Sequence, residues 1–270
     1  MTVAARPRRP AHRVPPAPLL AVAALAVLVV ALPFAGLLQR ADWADLAEHL
    51  TDPAAAAALR LSLVTSLSAA LLCVVLGVPL AWVLARWDFP GRHVVRGLVL
   101  LPMVLPPVVG GVALLAAFSR RSPLGGWLHE TFGVQLTFST AGAVLAATFV
   151  AMPFLVITVE GALRQADLRL EDAAAGLGAG RLTVFRRVSL PLVAPSLVAG
   201  TVLAWARALG EFGATITFAG NVEGRTRTLP LEVYLRLETD PDAAVTLSLV
   251  LVAVSLAVIV ALRGRWAGRR

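Results

Sequence analysis

The stretch EDAAAGLGAGRLTVFRRVSLP, Glu171–Pro191, interrupts a series of apolar runs, and its reading decides how the chain is built. Of the 270 residues, 58% are hydrophobic, and the mean hydropathy is +0.81. That is too apolar for a soluble domain of ordinary composition. Six apolar runs flank or surround the stretch: Leu19–Leu38, Leu59–Ala85, Val94–Phe118, Ala141–Val159, Ala194–Phe218 and Ala243–Leu262. Each is near the roughly 20 residues that a helix needs to cross about 30 Å of hydrocarbon. The sequence therefore predicts an all-α polytopic membrane protein with six transmembrane helices in one domain, 19–262. A tail, 1–18, precedes it and a short tail, 263–270, follows. The first run could be a secretory leader, since Arg6, Arg8, Arg9 and Arg13 precede it. It is longer than a usual leader core and no A-x-A site follows cleanly, so it reads as an uncleaved span.

The arginines set the expected orientation. With the N-terminus inside, sixteen of the 24 basic residues fall on the inner side: the four tail arginines, Arg86, Arg92 and Arg96, five from Arg164 to Arg187, and four after Leu262. The first outer loop carries Asp42, Asp45, Glu48 and Asp52. Positive charge collects in cytoplasmic loops, so both termini and the loop 160–192 are expected in the cytoplasm of a cell membrane. The net charge of +8 is thereby explained by topology and not by nucleic acid.

Composition also removes several chemistries. All 24 basic residues are arginine. A phosphate-binding P-loop needs its lysine, so this chain carries no such ATPase site. The single cysteine, Cys73, lies in an apolar run, which excludes a disulfide framework. His12, His49, His93 and His129 have no ligand spacing, so no metal site and no cofactor of the chain's own is expected.

Two of the runs are irregular. LPMVLPPVVGG, Leu101–Gly111, places Pro106 and Pro107 in mid-run, followed by Gly110 and Gly111. Proline removes a backbone donor, and in lipid the freed carbonyls need partners in protein or water. The run is either a kinked packing helix or one beside a pathway. RALGEFGATITFAGN, Arg207–Asn221, places Arg207 and Glu211 one helical turn apart. Such a pair either fixes helix packing or borders a pathway, with Gly210 and Gly213 allowing close backbone approach. Thr215, Thr217 and Asn221 supply neutral donors with which an anion could be held.

Within the opening stretch, acids at Glu171 and Asp172 precede Ala173, Ala174 and Ala175, with leucines interleaved from Leu168 onward. This suits a short amphipathic helix with acids at its positive end. Gly176, Gly178 and Gly180 would end it, and Pro191 and Pro195 punctuate entry to the next span. A surface hairpin resting its arginines on anionic headgroups fits the composition equally well. The glycines do not have dinucleotide-binding spacing and no strand precedes them.

The spacing of this stretch resembles the loop of permease subunits of bacterial ABC importers, which reads E-A-A-x-x-x-G, nine residues, then I-x-L-P. Here Asp172-Ala173-Ala174 leads to Gly178, and nine residues later comes Val188-Ser189-Leu190-Pro191. Asp172 replaces the glutamate and Val188 the isoleucine, so either Glu171 or Asp172 can hold the acidic role. LPMVLPPVVGG and the run from Arg207 to Asn221, with GRTRTLPLEVY from Gly224 to Tyr234, look like permeases of the molybdate type and somewhat less like the sulfate and thiosulfate type. The resemblance implies a type I importer fold in which a homodimer encloses the pathway. It implies that the loop forms a coupling helix docking on a cytoplasmic ATPase dimer, which binds the ATP and Mg. An extracytoplasmic binding protein would deliver the oxyanion, molybdate with tungstate as co-substrate, or alternatively sulfate or thiosulfate. A stand-alone secondary transporter would need midplane ion-coupling residues and internal repeats, and neither is evident beyond the Arg207/Glu211 pair.

Overall fold

The computed structural model describes residues 16–266, and every regular element among them is a helix. Helix α1, Ala17–Arg40, forms a unit of its own, and the chain from Asp42 forms a second. In the second unit α2 spans Leu46–Thr51 and α3 spans Pro53–Arg86. They are followed by α4, Arg92–Val104, α5, Pro107–Phe118, α6, Pro123–Phe132, and α7, Thr140–Gln165. Then come α8, Leu168–Gly176, α9, Arg181–Leu192, α10, Ala194–Leu209, and α11, Gly213–Phe218. The chain closes with α12, Leu229–Thr239, and α13, Pro241–Trp266.

The starts of these helices follow from local chemistry. Asp52 accepts from the Ala54 amide to open α3, and Ser139 accepts from the Gly142 amide to open α7. These are N-caps, each satisfying a donor that the first turn leaves free. Proline occupies the first helical position of α3, α5, α6 and α13, where its missing N–H costs nothing.

Four unbroken helices are long and apolar enough to cross a membrane: α1, α3, α7 and α13 over Pro241–Val260. The α9–α10 pair makes a fifth, bent by 77°. The expected six crossings are compatible with this set, but two of the expected spans are not continuous. Val94–Phe118 is divided between α4 and α5, because Leu105 and Pro106 take extended ψ values of 141° and 133°. A residue before proline is driven out of the helical region, and the Pro106-Pro107 pair applies this to two positions in a row. Ala194–Phe218 is divided at Gly210–Phe212 into α10 and the short α11. The other spans outrun their predicted limits by a turn or two.

Two helices widen into a π-turn, Cys73–Gly77 in α3 and Phe185–Ser189 in α9. Each ends two residues before a proline, Pro79 and Pro191. The wider turn accommodates the ring and the missing donor without breaking the helix.

Helix α7 is the centre of the second unit and packs on α3, α4, α5, α10 and α11. The first half of its buried face is made mostly of small residues, with Gly142, Ala143, Ala146, Ala147 and Ala151 all buried, and larger ones such as Leu155 and Val159 follow. Lipid is as apolar as a core, so close packing and not apolar burial has to hold such helices together. Gly200 of α10 lies against α7 closely enough that a Cβ there would sit 3.1 Å from Thr158 Cβ.

Candidate functional site

The predicted loop helix forms as α8. Asp167 caps it by accepting from the Arg169 amide at 3.0 Å. At its other end Gly178 N–H donates to the Ala175 carbonyl (2.9 Å) and Ala179 N–H to the Ala174 carbonyl (3.1 Å). With Gly178 at φ +86°, this is a Schellman ending, in which a left-handed residue closes the last turn. Gly178 therefore has a conformational requirement that Gly176 and Gly180 lack. The loop's other matched residues divide by exposure: Asp172, Ala173, Ala175 and Pro191 are exposed, while Ala174, Val188 and Leu190 are partly covered.

The two acids point in different directions. Glu171 turns inward, its side chain 11% exposed, onto the equally covered Arg86 at the last position of α3. Arg86 Nη2 donates to Glu171 Oε1 at 2.8 Å and Nε to Oε2 at 3.1 Å. The two-pronged geometry is the strong form of a charge-assisted pair. Ser189, buried in the π-turn of α9, donates its hydroxyl to Glu171 Oε1 at 3.0 Å. Asp172 remains free to meet something outside the chain. Leu168 and Leu170 of α8 and Leu177, its C-cap, are also exposed, at 51%, 50% and 90%. The helix thus leaves its leucines uncovered, while of its charged residues only Glu171 is drawn inward and Arg169 and Asp172 stay exposed. Between the end of α3 and α8–α9 runs a groove of about 860 Å³, lined largely by apolar side chains such as Pro79, Trp82 and Phe185.

Beside this contact a second charged cluster ties α3, α4 and α7. Glu160 of α7 accepts from Arg96 Nη2 at 2.5 Å and from Arg164 Nε at 3.0 Å. The Leu84 carbonyl, orphaned near the end of α3, accepts from Arg92 Nε at 2.9 Å. Arg96 and Arg164 reach the same carbonyl at 3.5 Å. Cations at this position also complement the negative end of the helix dipole.

The divided spans meet at their breaks. A Cβ on Gly213 would lie 2.8 Å from Pro107 Cβ, and one on Gly111 would lie 2.6 Å from Thr217 Cβ. Gly110 faces the Phe149 ring of α7. Arg207 Nη1 stands 2.7 Å from Glu211 Oε2, with Glu211 2% and Arg207 27% exposed. Glu211 Oε1 also accepts from the Ala214 amide at 2.8 Å, in the first turn of α11. The carboxylate thus answers one cation and one helix start. Gly210 forms the break itself, as the C-cap of α10.

The model of the family "Binding-protein-dependent transport system inner membrane component" matches residues 77–270, which include the end of α3 and everything from α4 to α13. The chain belongs to this family. Among proteins similar to this permease, the "Molybdenum transport system permease protein ModB" of Mycobacterium tuberculosis is 53% identical over 217 residues, 80% of this chain and 81% of that one. The ModB of Escherichia coli K12 is 44% identical, over 82% of this chain and 96% of that one. The "Sulfate transport system permease protein CysT" of Escherichia coli K12 is 37% identical, over 78% of this chain and 77% of that one. The fold is that of a chain in the "Crystal structure of a bacterial ABC transporter involved in the import of the acidic polysaccharide alginate" (TM-score 0.73, 18% identity, 93% and 96% covered). A chain of the MetNI methionine ABC transporter matches with TM-score 0.59 at 19% identity, over 76% of this chain and 90% of that one. The permease is thus a multi-pass membrane protein of the type I importer fold.

The structure of this permease places the remaining expected site residues as follows. Thr215 is buried, and the Thr217 hydroxyl donates to the Gly213 carbonyl of its own helix at 2.8 Å. Asn221 Oδ1 accepts from Arg227 Nε at 2.9 Å, in a loop that leads to α12. Arg227 also faces Glu232 at 3.4 Å, which is 1% exposed and accepts from Arg236 Nε at 2.8 Å. Arg236 further pairs with Asp52, which joins α12 to the start of α3. Its guanidinium is held above its ordinary value, first by the hydrogen bond to Glu232, with burial opposing and the Asp52 charge assisting. Sequence reasoning missed Arg86, Ser189 and Glu160 as partners. Only the Glu160–Arg164 spacing of one turn carried a local signal.

Proposed function

We propose that this permease is the transmembrane subunit of an ABC importer that moves molybdate, with tungstate as co-substrate, into the cytoplasm. The observation that carries the cargo is the 53% identity to a molybdenum transport permease over 80% of the chain. The 37% identity to a sulfate permease makes sulfate the competing cargo. Both are tetrahedral dianions, so the difference is read largely by the binding protein that delivers them.

In this reading both termini and α8 lie in the cytoplasm of a bacterial cell membrane, as the arginine distribution favours. Two copies of the chain enclose the pathway, and each α8 docks on one subunit of an ATPase dimer, which holds ATP and Mg. The exposed leucines and Asp172 of α8 support a docked helix, because among the described residues nothing covers them. Closure of the ATPase on ATP draws the two α8 helices together and turns the pathway outward. The pathway runs beside the breaks at Pro106-Pro107 and Gly210–Gly213, near Gly110, Thr215, Thr217 and Asn221. There Arg207, partly exposed and only singly countered, offers donors to a passing dianion.

The test of the cargo is ATP-driven uptake into proteoliposomes that hold this chain with the ATPase and binding protein of its own source. Radiolabelled molybdate should enter, unlabelled tungstate should compete, and sulfate in hundredfold excess should not. Efficient competition by sulfate would transfer the assignment to the sulfate type.

A further inference from the structure

We propose that Glu171 is a positioning residue that couples the docking helix to the membrane spans, and that it works through Arg86 and Ser189 and not by touching the ATPase. This rests on the docking role assigned to α8 above. Among the described residues, every side-chain hydrogen bond or ion pair joining α8 to another element runs through Glu171. Its two partners stand at separate places in the chain. Arg86 is the last residue of α3, 85 residues away, and Ser189 lies in the π-turn that precedes the 77° bend into α10. One carboxylate therefore links a displaced α8 to two spans at once.

The link continues inward from both partners. Two residues before Arg86, the Leu84 carbonyl is gripped by arginines of α4 and α7, and Glu160 closes that cluster. From Ser189 the chain passes through the bend into α10, which carries Arg207 to the break at Gly210. Without Glu171, α8 would be attached by its two connecting segments, 166–167 and 177–180, and by van der Waals contact. The ion pair is largely out of water, with both side chains about one-tenth exposed, so salt screens it weakly. Asp172, one residue on, is exposed and, among the described residues, makes no hydrogen bond or ion pair to Arg86 or Ser189.

A strut differs from a merely structural contact in what its loss does. Loss of structure lowers ATP hydrolysis and uptake together. Loss of a strut leaves hydrolysis running while α8 moves without its spans. The experiment uses the reconstituted complex with Glu171→Gln, which keeps shape and removes charge, and separately Arg86→Gln. Hydrolysis is expected to stay within about twofold of the parent while molybdate carried per ATP falls at least tenfold. The exchange pair Arg86→Glu with Glu171→Arg should recover at least a third of the parent ratio. An unchanged ratio in both single variants, or a parallel fall in hydrolysis and uptake, overturns the proposal.

A second measurement stands whether or not the variants transport. Spin labels at the exposed positions Asp88 and Leu177, in nanodiscs without the ATPase, report the distance between the end of α3 and α8. The parent should give one narrow distance peak and Glu171→Gln a broadened one; equal widths also overturn the proposal. If the parent complex itself fails to carry molybdate, the cargo assignment fails while this distance test still stands.

Discussion

Replacing Gly178 by alanine isolates one physical term. No atom lies within 4 Å of where the new Cβ would be, so the substitution meets no steric obstacle. What it meets is φ +86°, a left-handed conformation that costs an L-residue roughly 1–2 kcal/mol. An increment of that size changes a folded population by about 5- to 30-fold. Helix α8 has nine residues and is marginal by itself, so it has no propensity reserve to absorb this. Gly176 is the control, because it also has open space but an ordinary helical φ. Alanine there should gain about 0.8–1.0 kcal/mol of helix propensity. Hydrogen exchange at the Gly178 and Ala179 positions, whose amides close the Schellman turn, reads both variants. Gly178→Ala should speed exchange by about 5- to 30-fold, with reduced ATPase association, and Gly176→Ala should slow it or leave it unchanged. Equal behaviour of the two variants would refute the conformational account of this loop.

Two further predictions concern packing and charge. Gly111→Ala puts a Cβ 2.6 Å from Thr217 and 3.1 Å from the Ala214 carbonyl, so it should destabilise the fold by about 1–3 kcal/mol. Gly97→Ala, inside α4 with nothing within 4 Å, should be neutral or gain up to about 1 kcal/mol of helix propensity, and thermal unfolding in detergent compares them. Glu232→Ala removes the 1% exposed carboxylate shared by Arg227 and Arg236, and because Glu223, Asn221 and Asp52 still answer these cations the cost should fall below the about 3–5 kcal/mol of a buried charge left uncompensated. Its unfolding midpoint should fall clearly below that of an exposed substitution such as Glu223→Ala, and equal midpoints would contradict the role given to this network.

The parts of this molecule that could be read in one dimension are those whose signals are local. The acid-rich start and triple glycine of α8 lie within a dozen residues, as does the turn-spaced Arg207–Glu211 pair. Pro106-Pro107 was equally visible, yet the run around it was expected as one span. Hydrophobicity measures length to cross a membrane and does not register a break at its centre. The same blindness joined Ala194–Phe218 across Gly210. Which of Glu171 and Asp172 turns inward depends on where Arg86 ends α3, 85 residues earlier. No periodicity connects such positions. Glu160 stands in the sequence at the edge of an apolar run, and only assembly brings Arg96 to it. Asn221 is read from sequence as a donor, and that Arg227 donates to its carbonyl oxygen has no local signal.

The central claim is that this chain is a passage driven from outside itself through α8. It is tested most directly by uptake of molybdate into proteoliposomes from which one component at a time is withheld. The account predicts uptake only with permease, ATPase, binding protein and ATP all present. Uptake by the permease without its ATPase would contradict it.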